Sequence, residues 1–568
     1  LKTMLFLFTI GPVKSFIESS RKTRDLYAGS YLLSYLMRLV YEELRERHPE
    51  AEIVFSLSVQ SNIPNRLVAK VNGYSVEDQI RLGQELSEFV RRQFVKIGRS
   101  VFDKTKVTPN QAAMNQLERF LEVYWVFGEE SSYSLAYGRV IQSMNSIKRL
   151  RGFTQSDEPS GRKCDLYPEY NAIFFKRTGE NHDGKRPSFI HKDSIDVTGT
   201  ESCKYAIKPG EGLSAVAFVK RMLHLLEEEQ ALPGYRLNIP SVAYMLLKDG
   251  LGEEHLEKLK RLKDEASEAF FDLQNGRQLS LGEYRSDHKA IAEEIYTKAS
   301  NNRVSPYYAL LKFDGDGMGR LYHDYAQRHV QEQLSRETSH FAGEVRDIIS
   351  GHGGICIYAG GEDFLGFVPV NRLFAVLFRL RQEFIAKVKA PDGHPQPLTF
   401  SAGIVIAHLM EPLGRMLAQT GEMERQAKEF HEDKNSFAIG VVKRSGEQLV
   451  IKSSFGEDGD ILRQLQGVVQ ALSDKEYSTS FLHNLNTVLN PLSLEATPEQ
   501  GPLVHVLIEQ ALQRSTSSLS KEERKNQTEV LMNIFRHFNY NLALFRSFLQ
   551  FAAFISREVS SCSMPLMR

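Results

Sequence analysis

Cysteine is scarce in this sequence: Cys164, Cys203, Cys356 and Cys562 are the four among 568 residues. They lie too far apart to form the closely spaced framework of a small secreted domain, so a reducing cytoplasm is the expected compartment. Net charge is absent too. Lys plus Arg and Asp plus Glu each total 71, so overall charge offers no argument for a nucleic acid or a membrane surface, and only local patches could serve one. No apolar run approaches the roughly 20 residues that cross a bilayer. The opening apolar stretch at 4–10 is short and lacks a small-residue cleavage site, so it is read as a strand and no membrane contact is expected. With 42% hydrophobic and 25% charged residues the chain has an ordinary globular composition, and its length predicts several domains.

Local patterns divide the chain. The strand at 4–10 turns at Gly11-Pro12 into a helical pattern reaching about Glu46. Strand-like stretches at 53–59 and 66–71 flank the turn-prone Asn62-Ile63-Pro64-Asn65, and a helix at about 76–97 follows, which makes most of a β-α-β-β-α-β unit. From 152 to 212 Gly, Lys, Asp, Ser and Pro predominate, as in an irregular insertion, and helical patterns then run to about Ala299. The first order repeats afterwards: strand 308–313, helix 318–349, a hairpin of 355–359 with 364–368, helix 372–388 and strand 399–407. Beyond Gly456 the apolar Leu462, Leu465, Val468, Val469 and Leu472 recur at three- and four-residue spacing, the sign of a helical bundle. The expected class is α+β. Two ferredoxin-like palms at 1–151 and 300–455 are joined by an irregular and helical region at 152–299, and a helical domain at 456–568 follows.

In such a palm the first strand lies beside the central hairpin. Asp314 at the end of one should therefore face Glu362 and Asp363 at the turn of the other. Mg²⁺ and Mn²⁺ take oxygen ligands and leave room for substrate phosphates, so Asp314, Glu362 and Asp363, with the Gly315 backbone, make a candidate metal set. Two such ions could activate a hydroxyl and stabilise a leaving pyrophosphate. Gly360 and Gly361 should permit a tight turn and close approach of a nucleotide. The Gly315-Asp316-Gly317-Met318-Gly319 loop, between strand and helix, should present backbone N–H groups to a triphosphate, with Asp316 ordering the loop.

The chain resembles the Cas10 (Cmr2-type) large subunits of type III CRISPR complexes. The resemblance rests on Ile10-Gly11-Pro12-Val13-Lys14-Ser15-Phe16-Ile17 continuing through Arg21-Lys22-Thr23-Arg24-Asp25-Leu26-Tyr27, and on Phe313-Asp314-Gly315-Asp316-Gly317-Met318-Gly319. It continues in Tyr358-Ala359-Gly360-Gly361-Glu362-Asp363 and Phe400-Ser401-Ala402-Gly403-Ile404. It implies two palms facing one another around two ATP molecules, with target RNA paired to a guide RNA switching on second-messenger synthesis inside a complex with other Cmr-like subunits. It also implies nucleotide contacts at Ser401, Lys428 and Lys434, phosphate-facing positions at Arg444-Ser445-Gly446, and palm–palm or nucleotide roles for Ser15, Arg21, Arg24 and Asp25.

The sequence departs from the family at three points. The usual Gly-Gly-Asp-Asp turn has Glu362 at its third position, which keeps a carboxylate. An amino-terminal HD nuclease is not expected, because the first palm strand starts at the beginning of this sequence; His182-Asp183 and His323-Asp324 are read as chance pairs. The family's zinc knuckle looks degenerate, with Tyr167 where a cysteine would follow Cys164; Cys164 and Cys203 with His182 or His191 are what could still form a mixed site. The family's products leave two options open: a cyclic oligoadenylate, or an AMP conjugate of S-adenosylmethionine as co-substrate. A scaffold subunit without turnover and a stand-alone signalling cyclase are the competing readings.

Overall fold

A computed structural model describes residues 3–55, 65–129, 132–150, 158, 160–177, 193–229, 232, 239–251, 264–279, 284–298, 304–456, 458–473, 479–492, 498–515 and 520–559. The chain divides into two compact units. One comprises Leu1–Pro240, Ser280–Tyr284 and Gly317–His340; the other comprises Ser241–Leu279, Arg285–Asp316 and Phe341–Arg568. Among the described residues no helix is long and apolar enough to cross a membrane.

The first unit holds a four-stranded sheet of β1 (Thr3–Gly11), β2 (Glu52–Phe55), β3 (Arg66–Asn72) and β4 (Glu122–Glu129), in the order β2-β3-β1-β4. That antiparallel order, with helices between β1 and β2 and between β3 and β4, is ferredoxin-like. Side-chain alternation along β1 builds two cores: Phe6, Phe8 and Ile10 join the face covered by helices Thr23–Arg47 and Val76–Thr105, and Leu5 and Leu7 join the face covered by helix Tyr133–Arg149. The helical pattern predicted to run unbroken from Pro12 is interrupted. Helix Lys14–Glu18 stops, and the Asp25 carboxylate accepts the backbone N–H groups of Arg21 and Lys22 at 3.3 and 3.4 Å to open the next helix. Within the insertion the described residues form a small sheet of β5 (Phe174–Phe175), β6 (Ile195–Asp196) and β7 (Gly212–Leu213). His182, Asp183, His191 and the tip of the 62–64 turn lie outside the described residues.

The second unit holds a six-stranded sheet: β8 (Tyr307–Gly315), β9 (Ile355–Gly360), β10 (Asp363–Pro369), β11 (Phe400–His408), β12 (Ser436–Val442) and β13 (Gln448–Ser454), in the order β13-β12-β11-β8-β10-β9. Its β11-β8-β10-β9 core repeats the ferredoxin-like order, and β12 and β13 extend it beyond the predicted strands. β8 lies between two neighbours and is buried throughout except at Lys312 and Asp314, both charged. Helix Leu413–Phe430 seats on β11 at Gly403, where a Cβ would lie 2.1 Å from the Glu424 backbone nitrogen. Leu462, Leu465, Val468, Val469 and Leu472 are all buried, as their helical spacing predicts.

Candidate active site at the end of strand β8

Register sets the site. Across the antiparallel β8–β10 pair Asp314 is opposite Asp363, and across β8–β11 it is opposite Ser401. Directly opposed residues share one face of a sheet, so Asp314 and Asp363 are neighbours, with Lys312 two residues back on that same face. Glu362 occupies the adjoining turn, where its carbonyl accepts the Gly315 N–H at 3.2 Å. The two glycines of the turn serve different ends. Gly361 has φ +62°, which other residues reach only with strain, whereas Gly360 leaves space for Tyr358, whose hydroxyl would lie 2.4 Å from a Cβ there. Tyr358, part of the Tyr358-Ala359-Gly360-Gly361-Glu362-Asp363 motif, is thus packed under the turn, a role that sequence reasoning did not assign to it.

Electrostatics separates the two aspartates. Asp314 Oδ2 accepts a charged hydrogen bond from Lys428 Nζ at 2.5 Å. Asp363 has no such partner: its Oδ1 is sealed from solvent and no described group donates to it. Burial raises its pKa to about 7, with Lys312 pulling it down and Asp314, Glu424 and Glu362 pushing it further up. An unpartnered carboxylate oxygen beside a second aspartate is the donor chemistry a hard divalent cation takes, so these residues fit Mg²⁺ or Mn²⁺. Among the described residues no group of three or more His, Cys, Asp or Glu is gathered closely enough to hold a metal ion by itself.

Two residues absent from the sequence-based set complete the arrangement. Glu424, on helix Leu413–Phe430, accepts from Lys428 at 2.7 Å through Oε1 and from Lys312 at 2.8 Å through Oε2. Burial opposes the positive charge of Lys428, but its hydrogen bonds to Asp314 and Glu424 outweigh that and raise its pKa to about 12. One legible trace of this chain was the spacing of Glu424 and Lys428, one helical turn apart. The other was Lys312, a charge inside an otherwise apolar strand, two positions before Asp314.

Other expected contacts have different employment. Asp316 is a structural hub, accepting hydrogen bonds from Thr399 Oγ1 (2.9 Å), Ser401 Oγ (2.8 Å) and the Asn435 backbone N–H (3.0 Å). Ser401 is fully buried and spends its hydroxyl on Asp316, so it positions the loop and is closed to a nucleotide. Met318 is buried as well. Gly317, at φ +70°, and Gly319 are exposed with open space where a Cβ would stand. Lys434, at φ +58°, lies in the turn before β12, and its charge is felt by Asp316. Arg444-Ser445-Gly446 form the β12–β13 turn beyond Val442, which is level with Ala407 and hence with Tyr308. Because β12 runs antiparallel to β8, that turn is at the opposite end of the sheet from Asp314, and the phosphate-facing expectation fails there.

In the first unit Ser15 and Arg21 are exposed and Arg24 is half-buried. Asp25 is completely buried and pairs with Arg221 at 2.7 Å; Arg221 also reaches Glu211 at 3.3 Å, and Glu211 meets Arg21. Desolvation opposes the charge on Asp25, but Arg221 outweighs it and holds the pKa below the usual range. Asp25 is therefore a structural ion-pair partner, contrary to a nucleotide role. Tyr167, in the degenerate knuckle, is buried and donates its hydroxyl hydrogen to the Phe16 carbonyl at 3.0 Å, where Lys220 Nζ also reaches it. Cys164 and Cys203 are buried free thiols, and burial pushes Cys203 up to about 11.

Residues 307–438 match the family Cas10/Cmr2, second palm domain, and residues 5–72 match the family CRISPR-associated protein Cmr2, N-terminal. The chain is 23% identical, over 561 aligned positions, to the CRISPR system Cmr subunit Cmr2 of Pyrococcus furiosus. That match covers 78% of this chain and 62% of the relative, so the chain spans less than two thirds of that protein's length. Among solved structures it is similar to a chain of the type III-B Cmr-beta complex in the apo state, with TM-score 0.65 and 15% identity over 92% of this chain and 78% of that one. It is also similar to a chain of Cmr-beta bound to cognate target RNA, with TM-score 0.61 and 16% identity over 91% and 79%. At such identities these two likenesses concern the fold.

Proposed function

We propose that this chain, a Cas10/Cmr2-type subunit, uses ATP to make a nucleotide second messenger at the end of β8, within an RNA-guided type III CRISPR complex. The observation that carries the reading is the pairing of Asp314 with Asp363, whose sealed Oδ1 has no hydrogen-bond donor, with exposed glycines following in the chain. Asp314 and Asp363, with Glu362 and the Gly315 carbonyl beside them, would hold Mg²⁺ or Mn²⁺. When bound, that ion supplies Lewis-acid activation of a ribose hydroxyl and neutralises phosphate charge. Gly317 and Gly319 leave room for phosphate oxygens. Lys428 and Lys434 are compact cations suited to the triphosphate, while Asp316 and Ser401 fix the loop. Glu362 preserves a carboxylate in the turn. The proposed acceptor is a second ATP, giving a cyclic oligoadenylate, or S-adenosylmethionine, giving an AMP conjugate. The proposed partners are Cmr-like subunits, guide RNA and target RNA, in keeping with a relative described as a Cmr subunit and a structural neighbour bound to cognate target RNA.

One observation favours a scaffold without turnover: Lys428 already covers one oxygen of Asp314. The two readings separate on labelled ATP incubated with the reconstituted complex, target RNA and Mg²⁺ or Mn²⁺, with and without S-adenosylmethionine. A product made by the wild type and lost in both Asp314→Ala and Glu362→Ala/Asp363→Ala supports the enzyme, and its mass names the messenger. Absence of product under every condition leaves the scaffold.

A further inference from the structure

We propose that Lys428 is a displaceable counter-ion for Asp314 and that Glu424 is the residue that holds the lysine once it is displaced, so the site is latched until a metal–nucleotide opens it. The inference rests on the proposed metal-dependent reading of this site. Its geometry is a chain of alternating charges: Lys312 to Glu424 at 2.8 Å, Glu424 to Lys428 at 2.7 Å, and Lys428 to Asp314 at 2.5 Å.

The fold leaves these side chains little choice. Gly403 lets the helix backbone at Glu424 press onto β11, opposite Lys312 in register, which brings Glu424 to the face where Lys312 and Asp314 project. Residue 428 is one turn further along the same helix face. Glu424 uses one oxygen on each lysine, so it acts on the site through Lys428 and is a positioning residue. A divalent cation on Asp314 would share that carboxylate with an ammonium at hydrogen-bond distance, and the like charges repel. Lys428 therefore opposes metal entry at Asp314 until it moves away. The lysine has a flexible four-carbon stem and a quarter-exposed side chain, and it retains Glu424 as a partner when Asp314 is taken. From that position its ammonium is free to meet incoming phosphate oxygens. Asp363 Oδ1, without a donor, has no side-chain partner to be displaced.

Opposite effects of two neighbouring substitutions test the latch. Mn²⁺ alone is titrated into the full chain without nucleotide and free Mn²⁺ is read by electron paramagnetic resonance, with circular dichroism confirming the fold of each variant. Lys428→Met removes the competitor and should tighten Mn²⁺ at least about fivefold, the low end of ordinary coupling between sites. Glu424→Gln removes the alternative partner of Lys428 and should weaken Mn²⁺ in comparison with wild type. The double variant should bind Mn²⁺ more tightly than Glu424→Gln alone, because the competing ammonium is gone. Lys428→Gln provides the same comparison if the methionine variant does not fold. Equal affinity in wild type and both Lys428 variants, with binding lost in Asp314→Asn, would overturn the latch and leave the metal site standing. Equal affinity in wild type and Glu424→Gln would remove Glu424 from it. No Mn²⁺ bound by any variant would overturn both the latch and the proposed function.

Discussion

Replacing Asp363 by Asn should stabilise the metal-free protein while removing a ligand the proposed chemistry needs. The pKa of Asp363 is raised from 3.8 to about 7 by burial. At about 1.4 kcal/mol per pKa unit this is a ceiling of about 4 kcal/mol. The side chain is half-buried, which reduces the figure by screening, and the amide of Asn leaves one group short of a partner, about 1–2 kcal/mol. A net gain of about 1–2 kcal/mol remains at about pH 8, where the wild-type carboxylate is charged. The sign follows from linkage. The folded protein holds the Asp363 proton more tightly than the unfolded chain, so its stability declines as pH rises from about 4 to about 7 and is level above that. Urea unfolding in the presence of a chelator, followed at about pH 5 and about pH 8, should show the Asn gain at the higher pH and almost none at the lower. Unfolding of the unit containing Asp363 is the relevant transition, since two compact units need not melt together. A loss at the higher pH, or an equal gain at both, would refute the argument that a charged carboxylate is held there against its own solvation.

Gly403→Ala should cost about 1–3 kcal/mol or more, because its Cβ would meet helix backbone at 2.1 and 2.5 Å, and it should disturb Lys428 along with the helix; urea unfolding and circular dichroism read this, and a neutral outcome would contradict the close seating. Arg221→Met should destabilise the first unit by about 3–5 kcal/mol, since it strands Asp25 and Glu211 without their buried cation; chemical denaturation showing less than about 1 kcal/mol would show that the pair is dispensable.

Both palms were legible because their strands carry dense apolar runs and their turns carry Gly and Pro at the right places. The predicted strands and helices of the second palm differ from the observed ones mainly at their ends and in the break between helices Met318–Asp324 and Arg328–Gly351. What local patterning did not reveal was set by packing. β12 and β13 add to the palm because Ser436–Val442 pairs in parallel with β11, residue for residue 35 positions earlier in the chain (Ala402 with Phe437). Asp314 and Asp363 were readable from strand order alone. The burial of Ser401, whose hydroxyl is spent on Asp316, was not readable because proximity to a motif carries no information on burial. Asp25 was misassigned because its partner, Arg221, is 196 residues away. Glu424 was missed because a carboxylate on an amphipathic helix looks like a solvated charge until the helix is docked.

A metal–ATP complex at the end of β8 would be visible by diffraction from crystals of the full chain grown with Mn²⁺ and a non-hydrolysable ATP analogue, using anomalous scattering to locate manganese. Manganese should then appear between Asp314 and Asp363, with phosphates against Gly317 and Gly319 and Lys428 withdrawn from Asp314. An analogue bound elsewhere, or bound while Lys428 still pairs with Asp314 and no manganese lies on the two aspartates, would contradict a metal–ATP site there.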